Sequence, residues 1–188
     1  MKSFEEIEST GRYLESKGFM DLDIVIILGT GLDKTINEIE ILDRISTDEI
    51  PGFPSSTVSF HEGSLILGLI TGKRCAIFQG RAHSYEGHSM DDIAFPLRVL
   101  NYLGAKHLIA TGAAGCMNVN WSKGDIMLLK DHINLLPMNP LIGPNDDRIG
   151  NRFLDMSQAY DQRINSKCQK LSAQLGIVLR KKIPLHKN

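Results

Sequence analysis

A chain of 188 residues, 42% apolar and 23% charged, is long enough to bury one sizeable α/β core and is ordinary in composition for a globular protein. Its 21 basic and 22 acidic residues leave a formal net charge of -1, which excludes the basic field that nucleic acid or an anionic membrane surface would need. The most apolar early stretch, residues 24–30, is far too short to span a bilayer, and the acidic opening MKSFEEIEST lacks the pattern of a secretory signal, so a cytoplasmic protein is expected.

Residues 3–17 read as an amphipathic helix, with Ser3 and Glu6 at capping-box spacing and Gly18 where a helix commonly ends. The run IVIIL, residues 24–28, suits a strand buried on both faces of a largely parallel sheet, and Gly29-Thr30-Gly31 reads as a tight turn from strand to helix. Residues 50–56 form a Pro/Gly/Ser loop, followed by strand candidates at 57–60, 64–70 and 74–78, the last two joined as a hairpin through Thr71, Gly72 and Lys73. A polar loop at 80–89 precedes a helix over 91–103, which Pro96 is expected to interrupt or kink. Another buried strand is expected at 107–111, a further strand at 125–129, a long functional loop at 134–152 and a last helix over 156–175. The alternation argues an α/β fold with a mixed sheet, built as a single domain over residues 1–180.

Cys75, Cys116 and Cys168 are odd in number and far apart, which indicates neither a disulfide framework nor a zinc site. His83 and His88 lie five apart, not a helical ligand spacing, so no metal is expected.

Three stretches carry candidate chemistry. Gly29-Thr30-Gly31 leaves backbone N–H groups open to an anion, although a tight turn that needs glycine dihedrals explains the same residues. It is neither a P-loop nor a complete dinucleotide fingerprint, since no Gly-Lys-Ser/Thr follows and Lys34 stands where a third glycine belongs. Arg81 and His83 directly follow a strand and project to one side in extended geometry; an Arg grips phosphate oxygens bidentately and a His donates beside it. Tyr85 continues the alternation toward a sugar, while the blander reading makes Arg81 a surface ion-pair partner and His83 a polar loop residue. His61, after the strand candidate at 57–60, either enters the same pocket or is a solvated side chain. Gly112 to Gly115 again places small residues at a strand end, where a ligand approaches the backbone closely. Asp131-His132 has no nucleophilic Ser or Cys beside it and reads as structural. Together these describe an oxyanion site that holds phosphate without a metal.

Seven segments, in order, then resemble one family: ILGTGLD, FPSSTVSFHEG, QGRAHSYEGH, TGAAGCMN, GDIMLLKDHINLL, NPLIGPNDDRIGNRF and MSQAYD. They are similar to the trimeric purine nucleoside phosphorylases and span most of the chain. The resemblance implies a phosphorylase/nucleosidase-like fold, a mixed and partly barrel-like central sheet flanked by helices. It implies phosphate held by Thr30, His61, Arg81, His83 and the backbone of Ala82 and Ala113, with Tyr85 on the ribose. Phe153 matches an aromatic that covers the ribose of a neighbouring subunit, which implies a homotrimer. The implied reaction is phosphorolysis of a purine nucleoside to free purine and ribose 1-phosphate, with no cofactor.

The pattern also departs from the family. Asp33, Gly112, Cys116 and His88 replace a Gly, an Asn, a Gly and a Tyr. After Arg180 the family continues into residues for the purine, the ribose and the phosphate, whereas this sequence reads KKIPLHKN. A fold incomplete at its C-terminus is therefore expected, with 181–188 a disordered basic tail outside the family pattern and the catalytic base-site residues unassigned. The alternative function is a catalytically inactive phosphate- or nucleoside-binding remnant that assembles with a full-length relative.

Overall fold

The computed structural model describes residues 2–55, 63–182 and 185–186. The strand candidate at 57–60 and His61 lie outside the described residues. Helix α1, Phe4–Ser16, starts where the sequence places it: the Ser3 hydroxyl accepts from the Glu6 N–H, and the Glu6 carboxylate accepts from the Ser3 N–H. Strand β1, Ile24–Leu28, follows, and Asp23 ahead of it accepts from Lys73 Nζ and from the Arg74 N–H, both at 3.0 Å.

The sequence predicts a helix after Gly31. The structure has instead a six-residue 3-10 helix, Asp33–Glu38, whose buried Ile36 packs on the sheet face behind it. Strand β2, Glu40–Ser46, has no counterpart in the sequence expectations. It is mostly exposed at the sheet edge, so its sequence lacks the apolar run that marks a buried strand. Strands β3, Ser64–Ile70, and β4, Lys73–Gln79, form the expected hairpin. Its turn holds Thr71 and Gly72 at φ of 48° and 77°, the two positive dihedrals of a hairpin matched to strand twist.

Helix α2, Met90–Tyr102, is capped by the Ser89 hydroxyl and runs unbroken through Pro96, contrary to expectation. Proline removes one helical rung, and Pro96 is buried beside Phe95, Val99 and Leu100, whose burial offsets that cost. Strand β5, His107–Ala110, forms as expected but is not buried. Among the described residues it pairs with β1 alone, and Leu108 remains 52% exposed.

These strands make one mixed sheet in the order β2-β3-β4-β1-β5, with β1 parallel to β4 and β5, and β3 antiparallel to both its neighbours. Strand alternation sends Val25, Ile27, Leu65, Leu67, Ala76 and Phe78 to one face, where α1 and α2 cover them with Ile7, Leu14, Phe95, Val99 and Leu100. Ile66, Cys75 and Ile77 point to the other face, where Ile36 packs on them. Burial also pushes the Cys75 thiol pKa up, which makes it an inert apolar residue.

Two units are distinguished by their internal contacts. The first comprises residues 1–113 and 140–150, and the second 114–139 and 151–188. In the first, residues 140–150 lie against α1 and α2. Arg98 donates to the Pro140 carbonyl, and Arg148 pairs with Glu5 at 2.8 Å while lying over the Phe4 ring. In the second, β6, Ile126–Leu129, pairs in parallel with β8, Leu179–Lys182, and β7, Ile133–Asn134, with β9, Leu185–His186. Lys181 and Lys182, expected to open a disordered tail, pair with Leu128 and Leu129.

Helix α3, Gln162–Gln174, begins six residues later than its apolar spacing suggests. The Asp161 carboxylate accepts from the Arg163 and Ile164 N–H groups and so sets the first turn, with residues 156–161 in turns ahead of it.

Candidate functional site

Because β1, β4 and β5 run parallel, their carboxyl ends reach one edge of the sheet together, and the three candidate segments leave from there: Gly29-Thr30-Gly31, Gly80-Arg81-Ala82-His83 and Thr111-Gly112-Ala113. This is where open α/β sheets bind ligands. The first and third segments touch. A Cβ on Gly29 would lie 2.7 Å from the Gly112 Cα and 2.8 Å from the Thr111 carbonyl oxygen, so only glycine fits at 29. Arg81 closes the cluster from the other side, with its Nη2 4.0 Å from where a Gly112 Cβ would stand.

Arg81 is exposed, and its guanidinium has no hydrogen-bond or ion-pair partner among the described residues. The N–H groups of Thr30, Gly31, Ala82, Gly112 and Ala113 likewise find no acceptor among the described residues. A cation and several outward amides on strand-end turns form a seat for an anion.

His83 is held rigidly. Glu86 Oε1 accepts from the His83 N–H at 2.8 Å and lies 2.9 Å from its Nδ1. The Glu86 side chain is 2% exposed, and Gly87 at φ 94° ends the turn that brings it back. With Nδ1 against Glu86, Nε2 lies at the other side of the ring. Tyr85 stacks on His83 with ring centres 4.8 Å apart and remains 76% exposed.

The structure therefore brings Thr30, Arg81, Ala82, His83, Tyr85 and Ala113 to the carboxyl edge of the first unit. Phe153 belongs to the second unit and is 90% exposed. Sequence reasoning misses Glu86 and Thr111. The three-residue spacing of His83 and Glu86 is a legible signal for the first, and a hydroxyl directly before a strand-end glycine for the second. His88 turns away from the cluster, its Nε2 2.9 Å from the Ser55 carbonyl. In the second unit, the Asp131 carboxylate accepts from the His132 N–H and the His132 ring stands edge-on to Tyr160. Among the described residues no three His, Cys, Asp or Glu side chains gather as a metal site, and no helix is long and apolar enough to cross a membrane.

Known proteins sharpen this geometry. The model of the phosphorylase superfamily matches residues 23–187. A purine nucleoside phosphorylase 1 of Geobacillus stearothermophilus is 42% identical over 174 residues, covering 93% of this chain and 64% of the relative. The Mus musculus purine nucleoside phosphorylase is 41% identical over 177 residues, covering 93% of this chain and 61% of the relative. Among solved structures, isoform 2 of the Schistosoma mansoni enzyme, in complex with cytosine and ribose-1-phosphate, superposes with a TM-score of 0.89 at 37% identity, covering 98% of this chain and 67% of that one. The chain thus spans less than two thirds of the length of the bacterial and mouse relatives. Matched along most of its own length in both sequence and fold, the chain belongs to the phosphorylase superfamily, on its purine nucleoside phosphorylase branch.

Proposed function

We propose that the chain carries the phosphate- and ribose-binding portion of a purine nucleoside phosphorylase. Such an enzyme splits purine ribonucleosides and deoxyribonucleosides with inorganic phosphate into free purine and (deoxy)ribose 1-phosphate, a step of purine salvage. This reading rests on the Arg81 guanidinium, without a partner among the described residues, beside amides of three parallel strand ends that find no acceptor there.

In this reading Arg81 grips two phosphate oxygens, and Thr30 and the Ala82 and Ala113 amides take the rest. His83, oriented by Glu86 through Nδ1, turns Nε2 to the anion. His61 is assigned by family resemblance alone. The bound dianion lies beneath the sugar, stabilises the oxocarbenium-like ribose as the glycosidic bond lengthens, and attacks the anomeric carbon. The C–N bond electrons leave with the purine, and no cofactor takes part. Tyr85 packs on the ribose. Phe153 covers the ribose of a neighbouring subunit in a homotrimer, a role suited to so exposed a ring. Three free thiols suit a reducing compartment, so the proposed setting is cytoplasmic.

The test is release of free base from inosine and guanosine by the purified chain, with and without phosphate. Phosphate-dependent release that is lost in Arg81→Ala would support the reading as an enzyme. A folded chain that releases nothing yet is stabilised by phosphate, in an Arg81-dependent manner, would instead be a binding remnant. Phosphate at about 100 times its Kd would add about 2.7 kcal/mol of stability, enough to read as a thermal shift.

A further inference from the structure

The end of strand β5 carries a feature that the phosphate reading does not use. The β1–β5 ladder has Ile24–Ile27 facing His107–Ala110, and the Thr111 N–H closes it by donating to the Ile27 carbonyl at 3.0 Å. In a regular parallel ladder the next rung would run from the Gly29 N–H to the Thr111 carbonyl. Here the Gly29 N–H donates to the Thr111 hydroxyl instead, at 2.8 Å, and that hydroxyl donates to the Ile27 carbonyl, also at 2.8 Å. One side chain thus substitutes for a backbone rung and uses both its acceptor and its donor function.

The consequence falls on the turns on either side. With the ladder ended one rung early, the Thr111 carbonyl is released from pairing with the Gly29 N–H, and the chain diverges into Gly112 and Ala113. The Gly29-Thr30-Gly31 turn, although no longer in the ladder, stays tied to β5 through a short, two-bond bridge. The two segments remain so close that a Cβ at Gly29 would strike Gly112. The Thr111 hydroxyl thus ties the turn that carries the Thr30 and Gly31 amides to the turn that carries those of Gly112 and Ala113.

We infer that Thr111 is a positioning residue for the oxyanion seat: its hydroxyl ends the β1–β5 ladder and sets the separation of the two turns that face the anion. This rests on the phosphate reading above. Thr111 touches no substrate in this assignment and acts through the Gly29 turn. A hydroxyl is required because the position needs an acceptor for Gly29 and a donor for Ile27 at once. Valine matches the shape of threonine and supplies neither.

The experiment is calorimetric titration of inorganic phosphate into the purified chain and into Thr111→Val, Thr111→Ala, Thr111→Ser and Arg81→Ala. The parent binds, and the valine and alanine variants bind about tenfold more weakly, the equivalent of one lost hydrogen bond's worth of positioning. Serine restores affinity to within about twofold, since it keeps the hydroxyl. Backbone amide exchange supplies the reading that general destabilisation would not move: Gly29 exchanges faster in Thr111→Val while the amides of β3 and β4 keep parent protection. Parent-like phosphate affinity in both the valine and alanine variants would overturn the inference, as would a serine variant no better than alanine. If the valine variant does not fold, the alanine and serine pair decides between the same outcomes. Loss of binding in Arg81→Ala alone leaves the phosphate reading standing and removes the role of Thr111. A folded parent that binds no phosphate removes both.

Discussion

The two units of this molecule differ in where their apolar side chains go. In the first, a five-stranded sheet is covered on one face by α1 and α2 and on the other by the turn at Ile36, and Leu14, Leu65, Ile66, Ile77, Val99 and Leu100 are fully buried. In the second, α3 and its C-cap present Ile164, Leu171 and Leu175 on one stripe, yet all three are exposed, and no residue from 106 to 180 is buried. Local signals are as good in the second unit as in the first: Asp161 caps α3 as firmly as Ser3 caps α1. Capping and periodicity thus suffice to form an element, whereas burial against another element is what stabilises it.

The largest test of that contrast is a pair of truncations. Phe95→Ala empties a buried site between α2 and the sheet and should cost about 3–5 kcal/mol in denaturant unfolding. Leu171→Ala on α3 removes a side chain that is 55% exposed and should shift stability by no more than about 0.5 kcal/mol. Comparable losses from both would show that the second unit has a core of its own.

Local opening should follow the same division. Under limited proteolysis, first cuts are expected within residues 114–139 and 151–178, well before any in β3, β4 or α2. Simultaneous cleavage in both units would erase the distinction between them.

The smallest effect concerns acid. Hydrogen bonds from the Arg163 side chain, then from the Ile164 and Arg163 N–H groups, lower the Asp161 carboxyl to about 2 from an ordinary value of 3.8. A depressed carboxylate contributes stability that is complete above the unfolded value and is lost as pH falls through the folded one. Helicity of α3 should therefore hold at about pH 5 and fray between about pH 4 and pH 2. Asp161→Asn, which still caps but does not titrate, should flatten that part of the circular dichroism profile. An unchanged profile would show that the Asp161 cap does not govern α3.

Much of the first unit is legible in the sequence because its signals are local and strong. IVIIL at β1, the Thr71-Gly72 hairpin, the Ser3 box and the glycines at the strand ends each have a physical reading that needs no partner. Arg81 and His83 stand out because a polar run directly after an apolar strand is unusual. The sequence misleads at elements whose character depends on neighbours. The apolar run of β5 looks like a buried strand, yet it is exposed, with β1 its one partner among the described residues. Strand β2 has no apolar run because it lies at the other edge. Glu86 and Thr111 escape notice for the same reason, since a carboxylate three residues on and a hydroxyl at a strand end acquire roles only through what they touch.

The amino-acid order by itself determined the capped first helix, the hairpin, the α/β character and the family, since each is written in spacings of a few residues or in motifs carried along the chain. Only the tertiary structure decided that three distant glycine turns, at 29–31, 80–83 and 111–113, meet at one edge. Parallel pairing of β1, β4 and β5 aligns carboxyl ends that are some 30 to 80 positions apart in the chain, and no local propensity encodes that alignment.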